Sequence, residues 1–431
     1  MDTALPIQRS GPGLRFHAHQ PAQYELLHER PFPVLPCPVR ISHIAFRTNG
    51  QHNTEHSALV ALCQRYQVNP PVADASCFYQ SLGKFDVRWE RHTEFSTLCF
   101  IRPGTESIPF ERTALDLLPE DWLSQFPGEV MSASHFEIRM EQSIPSADAL
   151  RDLFEGQRLS QSHAKQGHAR LWTPFRRMSD GFNKVLIFDL GMSSNARGRL
   201  IRTLIELENY ICASLKPVTM ARRLFAKIEA CDQTLAGLIR QMRPEQGPTN
   251  PRQQLDSLTD LSQSVERMIA DTCSRFSATR AYASIVRERL DELEEQSVPG
   301  IPTLSEFLLR RLEPAWRSCE AVSQRLNDLS ARIERASDLM RTRIDLAIQE
   351  NNQGLLTAMN QRSHLQLRLQ QTVEGLSVVA ISYYILALTG LMIASWTGAA
   401  DRVISLLTPP VLFGVWAGAR RFRKRLGLNK P

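Results

Sequence analysis

Gly375–Trp396 runs for 22 residues without a charge. At about 1.5 Å per residue such a helix reaches roughly 33 Å, enough to cross a hydrocarbon core of about 30 Å. No other stretch of the 431 residues is as apolar for as long, so the rest of the chain has to fold around an element suited to lipid. Trp396 stands where an interfacial aromatic belongs. A second apolar segment, Val403–Ala419, has 17 residues and is interrupted by Pro409 and Pro410. A helix capped by Thr408 and starting at Pro409 would be too short to cross unaided, giving a broken or re-entrant segment. Charge separates the readings. Arg420, Arg421, Arg423, Lys424, Arg425 and Lys430 follow directly with no acid among them, whereas Thr397–Arg402 carries only Asp401 and Arg402. Basic flanks stay cytoplasmic. The expectation is therefore a hairpin of two membrane helices, 375–396 and 403–419, with an outer turn at 397–402 and a basic cytoplasmic tail at 420–431.

The same arithmetic excludes a nucleic-acid surface. Lys and Arg number 51 and Asp and Glu 45, a net charge of +6, and the tail supplies all of that excess. Basicity here is a terminal tag and not a stripe across a domain. The eight cysteines form no Cys-x-x-Cys pair, which argues for thiols in a reducing cytosol and against a disulfide framework or zinc ribbon. The N-terminus lacks the apolar core of a secretory signal, so the bulk of the chain is expected on the cytoplasmic side, with both termini there.

Residues 193–374 read as a helical stalk. A first helix starts at the Ser193-Ser194 cap and ends before Pro217, a second runs to Arg243, and Pro244–Pro251 is a loop. Stepping alternately three and four residues from Leu255 gives Leu258, Ser262, Val265, Ile269, Thr272, Phe276, Thr279, Ala283, Val286, Leu290 and Leu293. Nine of these twelve are apolar, an a/d seam for coiled-coil or long antiparallel packing. Val298–Pro302 reads as a turn, and Thr303 with Glu306 forms a capping box. The last helix carries Leu326, Leu329, Ile333, Ala336, Met340 and Ile344 on one stripe and runs to the membrane. A helix that long is not stable on propensity alone; its stripe must pack on the preceding helix, on sister chains, or on both. Arg332, Glu334 and Arg335 read as a solvated face.

Residues 24–192 mix strand and helix signals, after a flexible segment at 1–23. Strands are expected at Arg40–Arg47, at Lys84–Ile101 as a pair, and near Glu129–Met140, Gln157–His163, Ala169–Phe175 and Lys184–Asp189. A helix is expected at Thr54–Gln67, with Ala58, Leu62 and Tyr66 on one side. The fold class is thus an α+β domain with a largely antiparallel sheet, then a long-helix coiled-coil stalk and a C-terminal transmembrane hairpin.

Candidate chemistry is sparse. His92 and Glu94 share one face if their strand continues. With His43, His28 or Glu29 they are weak candidates for a divalent cation, although no pair has the spacing of a metal motif and a structural hydrogen-bond cluster explains them as well. No phosphate-binding, dinucleotide, nucleophile-elbow or zincin motif occurs, so no catalytic residue or cofactor is assigned. In the apolar segments Gly390, Ala394 and Gly398, and Gly414 with Gly418, recur every four residues and suit close helix packing. Ser382, Tyr383 and Thr389, with Ser377, are polar groups that suit either packing between helices or the lining of a pore.

Several stretches together, YELLHERPF (Tyr24–Phe32), WERHTEFST (Trp89–Thr97), FPGEV (Phe126–Val130) and above all LQLRLQQTVEGLSVVAISYY (Leu365–Tyr384), resemble the bacterial domain of unknown function 3422 family. The resemblance covers nearly the whole chain and implies a membrane-anchored protein of the bacterial inner membrane with no inherited catalytic residues. In architecture, and in Ala336–Met359, the chain is also similar to CorA-type metal ion transporters. It lacks their Gly-Met-Asn signature: after the first span it reads Ser395-Trp396-Thr397-Gly398-Ala399-Ala400. The expected function is an integral membrane protein presenting a cytoplasmic binding or scaffold domain on a self-associating stalk. A CorA-like cation channel is the alternative, and a membrane-tethered enzyme or metal sensor using His92 and Glu94 stands third.

Overall fold

The computed structural model describes residues 33–48, 50–140, 145–242, 250–297, 302–394 and 400–425. The flexible segment at 1–23, Tyr24–Phe32 with His28 and Glu29, most of the 244–251 loop, the turn at 298–301, Trp396, residues 397–399 of the outer turn and the last six residues of the tail lie outside them. The chain divides into two compact units, Met1–Gln241 with Leu258–Glu334, and Met242–Ser257 with Arg335–Pro431.

The first unit is built on one eight-stranded sheet. Its strands are β1 (Val39–Arg47), β2 (Cys77–Ser81), β3 (Asp86–Arg91), β4 (Ser96–Pro103), β5 (Glu129–Met140), β6 (Ser160–Ala164), β7 (Ala169–Thr173) and β8 (Asn183–Asp189), in the spatial order β2-β3-β4-β1-β5-β8-β7-β6. Every pairing is antiparallel except β5 with β8, so the domain of mixed strands and helices follows the expected pattern. The extra strand, β2, lies at the sheet edge and has no fully buried residue. It lacks the apolar run that makes a central strand readable.

Side-chain alternation sends successive residues of each strand to opposite faces. On one face Ile41, Ile101, Phe136, Ile138, Leu171, Val185 and Ile187 form a core with Leu200, Ile201, Leu204, Leu207 and Ile211 of α4, which follows helices α1 (His52–Arg65), α2 (Glu120–Gln125) and α3 (Ala147–Leu153) and spans Ser194–Leu215. The Ser193 hydroxyl caps α4 as expected, accepting from Ala196 N at 3.2 Å. The sequence reading assigns α4 to the stalk; its apolar stripe instead lies on the sheet, because that sheet face would otherwise stay open. On the other face Ile44, Phe46, Val87, Trp89, Leu98 and Phe100 pack with Leu59 and Leu62 of α1 and with Trp122 and Phe126. A smaller cluster joins Leu150 and Phe154 of the α3 region to Trp172, Leu186 and Phe188.

Helices α5 (Val218–Gln241), α6 (Pro251–Asp291) and α7 (Leu304–Ala394) follow. Most of the predicted seam is covered within the chain: Leu258, Val265, Thr272, Phe276, Thr279, Ala283, Val286, Leu290 and Leu293 are buried, while Leu255, Ser262 and Ile269 are half-buried. Leu308, Leu312, Trp316, Val322, Leu326, Leu329 and Ile333 of α7 are buried too. Arg325 pairs with Glu229 and Asp232 of α5 at 3.2 Å each, and Arg332 with Asp232 at 2.6 Å. The α7 start is held twice. The predicted box forms, with Glu306 N donating to Thr303 Oγ1 at 3.1 Å, and the Glu295 carboxylate accepts from Leu304 N and Ser305 N at 2.9 Å.

In the second unit Ala336 and Met340 complete the buried stripe of α7, and Arg343 bonds the Met242 carbonyl. From Leu346 to Met392 the large apolar side chains of α7 are mostly exposed. The final helix, α8 (Ala400–Arg425), contains Pro409 and Pro410. It therefore departs from the expected boundaries at both ends, absorbing residues 400–402 of the outer turn and 420–425 of the tail. It also does not start afresh at Pro409. Proline removes an N–H donor and crowds the preceding turn, yet here the helix continues across both.

Candidate functional site

The end of β1, the start of α1, the β3–β4 turn and the middle of α6 enclose a pocket of about 340 Å³. Each wall follows from a local rule. A register shift at Ala45/Phe46 re-aims the end of β1, and Arg47 leaves it facing the pocket. Gly128 lies against that strand end with φ +99°, and a Cβ there would meet the Arg47 carbonyl oxygen at 2.5 Å; only glycine fits. Thr48 then turns the chain, its carbonyl accepting from Gln51 N at 3.0 Å. Helix α1 begins at His52 with no side-chain cap from Gln51, and Gly50 and His52 line the pocket beside it.

The opposite wall is the β3–β4 turn, closed by a 2.8 Å bond from His92 N to Phe95 O. The His92 ring stacks on Phe95 at 4.5 Å, and Phe95 meets the edge of Tyr210 at 6.2 Å. His92 Nε2 lies 3.9 Å from Glu90 Oε2. Glu94 reaches the other way, to Arg275 of α6, with Nη1 and Oε2 3.3 Å apart.

Two arginines, Arg47 and Arg275, and two histidines, His52 and His92, line this pocket with one carboxylate, Glu94, while Glu90 stands 3.9 Å from His92 and Glu55 3.7 Å from His52. Lys216 stands close behind. Its ammonium is pushed below the ordinary lysine range by burial and by the neighbouring Arg47 and Arg275, with Glu94 and Glu129 opposing. Arg47 itself makes no ion pair or side-chain hydrogen bond among the described residues. Behind His52, Glu55 is fully buried, its Oε1 3.7 Å from His52 Nδ1, and neither carboxylate oxygen has a hydrogen-bond partner among the described residues.

His92 and Glu94 thus share a pocket, as their adjacency suggests. His43 does not join them. It is buried under α4, with Nε2 3.1 Å from Asn209 Oδ1, and burial drives its imidazole down to about 4. Ser132 also donates to Asn209, at 2.6 Å, while Ser134 donates to Glu208. This polar layer under α4 holds the Glu208 carboxyl up to about 7, because burial outweighs the bond from Ser134. Among the described residues no group of three or more His, Cys, Asp or Glu is placed to hold a metal ion.

Arg47, His52, Arg275 and Glu208 were not singled out by the sequence. Glu208 had a signal, a carboxylate on the stripe Leu204–Leu207–Ile211. Arg275 had none, being 181 residues from Glu94.

In the apolar helices Ser377, Ser382 and Thr389 donate to the carbonyls of Val373, Val378 and Ile385 at 2.9, 2.8 and 2.8 Å. Ser382 is buried, and so is Gly390. Tyr383 and Tyr384 are exposed, with ring centroids 5.9 Å apart. Ala394 ends α7. Gly414 and Gly418 are exposed, with open space where a Cβ would stand. Arg420 lies over the Trp416 ring at 5.0 Å, Arg421 is exposed, and Arg423, Lys424 and Arg425 form the last turn of α8.

A domain of strands and helices carrying a basic pocket, joined to long helices of which one is long and apolar enough to cross a membrane, is the class this chain defines. The chain belongs to the family described as "Protein of unknown function (DUF3422)", whose model matches residues 17–426. No curated protein matches the chain. Of two stretches that carry the family resemblance, Trp89–Thr97 supplies the turn wall of this pocket, and Phe126–Val130 packs through Gly128 against the end of β1.

Proposed function

We propose that the chain is an integral protein of the bacterial inner membrane, with both termini in the cytoplasm, that presents a ligand-binding domain on a self-associating helical stalk. The observation that carries this reading is the change of surface along α7. Its buried stripe ends at Met340, and the same helix then exposes Leu355, Leu356, Leu365, Leu369, Leu376, Val379, Leu388 and Leu391. Soluble proteins rarely leave so large a contiguous apolar surface uncovered. The upper part suits lipid, since 18 or more apolar residues with no charge meet the requirement for a span. The lower part, where Ile344, Ile348, Leu355, Leu365 and Leu369 fall in one heptad register with Asn351, Ala358 and Arg362, suits a second copy of the helix. The basic end of α8 supports a hairpin that returns to the cytoplasm.

The channel alternative gains little from the geometry. The hydroxyls of Ser377, Ser382 and Thr389 donate to carbonyls one turn back, which satisfies each as a donor inside an apolar helix.

Alkaline carbonate washing of bacterial membranes tests the anchor: the full chain is expected to stay in the pellet, and its release would overturn the reading. Disulfide cross-linking in those membranes tests self-association. Leu355→Cys is expected to give dimers and Gln353→Cys, on the other side of the helix, is not; absence of cross-links from both would remove the stalk from the proposal.

A further inference from the structure

We propose that the pocket between Arg47, His52, His92 and Arg275 binds the phosphate group of a small anionic ligand. The inference rests on the reading above only in taking the domain as ligand-binding; it does not depend on the membrane or on self-association.

Four separate segments deliver cationic or donor side chains to this one cavity: β1 through Arg47, α1 through His52, the β3–β4 turn through His92, and α6 through Arg275. Converging charges of one sign are costly unless something opposite is brought between them. The carboxylate on the spot, Glu94, is already engaged by Arg275 at 3.3 Å. Arg47 has no anionic partner among the described residues, although the glycine at 128 fixes the strand end that carries it. Lys216 is disfavoured in its charged form first by burial and then by Arg47 and Arg275. A bound anion relieves all three cations together.

Phosphate fits this geometry better than a halide or a metal ion. Guanidinium groups present paired donors that match phosphate oxygens. The start of α1 stands on the same wall through His52, with Glu55 buried in its first turn. A divalent cation seated at His92 and Glu94 would face Arg275 and Arg47 at close range, and Glu94 would have to leave Arg275 to ligate it. The volume of about 340 Å³ exceeds what one phosphate needs, so the ligand has room for an organic portion, and the open rim at Gly50, Thr93 and Ser274 gives it a way in.

The test is titration calorimetry on the full chain in detergent, at fixed ionic strength. Inorganic phosphate and glycerol phosphate are the probes, with chloride and zinc alone as controls. Saturable binding of either phosphate is expected; preference for glycerol phosphate identifies an organic phosphate, preference for inorganic phosphate the free ion. Arg47→Gln and Arg275→Ala are each expected to weaken it at least tenfold, about 1.4 kcal/mol. Arg317→Ala, an exposed arginine on α7 paired with Glu313, is expected to bind as wild type. Circular dichroism of each variant separates loss of binding from loss of fold. No saturable phosphate response, binding indifferent to both arginine variants, or a response to zinc without one to phosphate would each overturn the proposal.

Discussion

Arg275 of α6 holds Glu94 of the β3–β4 turn across 181 residues of sequence, Nη1 to Oε2 at 3.3 Å. Both side chains are about one-third exposed, at 37% and 34%, so water screens the pair. A double-mutant cycle with Arg275→Ala and Glu94→Ala should give a coupling energy below about 1 kcal/mol in urea unfolding. A much larger value would mean the pair braces the fold. Its importance would then be structural, beyond the shaping of a pocket.

Gly128 supports the strand end from which Arg47 projects. At φ +99°, with the Arg47 carbonyl 2.5 Å from a would-be Cβ, Gly128→Ala must strain its own backbone and displace β1 together. A loss of roughly 2–3 kcal/mol is expected, read as a lower urea midpoint. A neutral result would show that the turn is more plastic than its backbone packing implies.

Glu208 and His43, side by side under α4, should oppose each other in a pH profile. Burial holds the Glu208 carboxyl up to about 7 from 4.5. Between those values the folded chain keeps a proton that the unfolded chain has released, so this group's contribution falls as pH rises through the window and is level above it. His43 is driven from 6.5 to about 4 by burial. The unfolded chain takes up that proton first, so stability falls as pH drops from 6.5 toward 4. Glu208→Gln removes only the first effect. The variant should gain roughly 2–3 kcal/mol over wild type at pH 8 and little at pH 5, measured by urea midpoints at both. Equal midpoints at pH 8 would sink the assignment.

Leu329 and Leu355 are the same residue type on the same helix, 1% and 61% exposed. Leu329→Ala should cost about 2–5 kcal/mol through lost burial and the cavity left behind. Leu355→Ala should leave the unfolding midpoint of the first unit in place and weaken only self-association, followed by light scattering in detergent. The reverse pattern would mean that the buried seam had been assigned to the wrong stretch of α7.

Much of this fold is readable in advance where one periodicity dominates. Nine of the twelve seam positions from Leu255 to Leu293 are buried, Leu255, Ser262 and Ile269 being half-buried, and β5 has the bounds Glu129–Met140 that its alternation suggests. The Ser193 and Thr303 caps work because capping is decided within four residues. Local rules fail where the deciding partner is remote. The assignment of α4 to the sheet depends on an apolar face assembled from six strands. The edge strand β2 depends on β3 for its pairing, and α8 carries two prolines that local rules read as a break. The pocket was half legible. His92 and Glu94 stand out together in the turn, but Arg47 and Arg275 are ordinary surface-type residues until β1 and α6 converge on that turn.

The buried residues of α6 and α7 from Leu258 to Ile333 all precede Arg335 in the chain. A nascent chain can therefore close this seam before the apolar turns that follow have emerged from the ribosome.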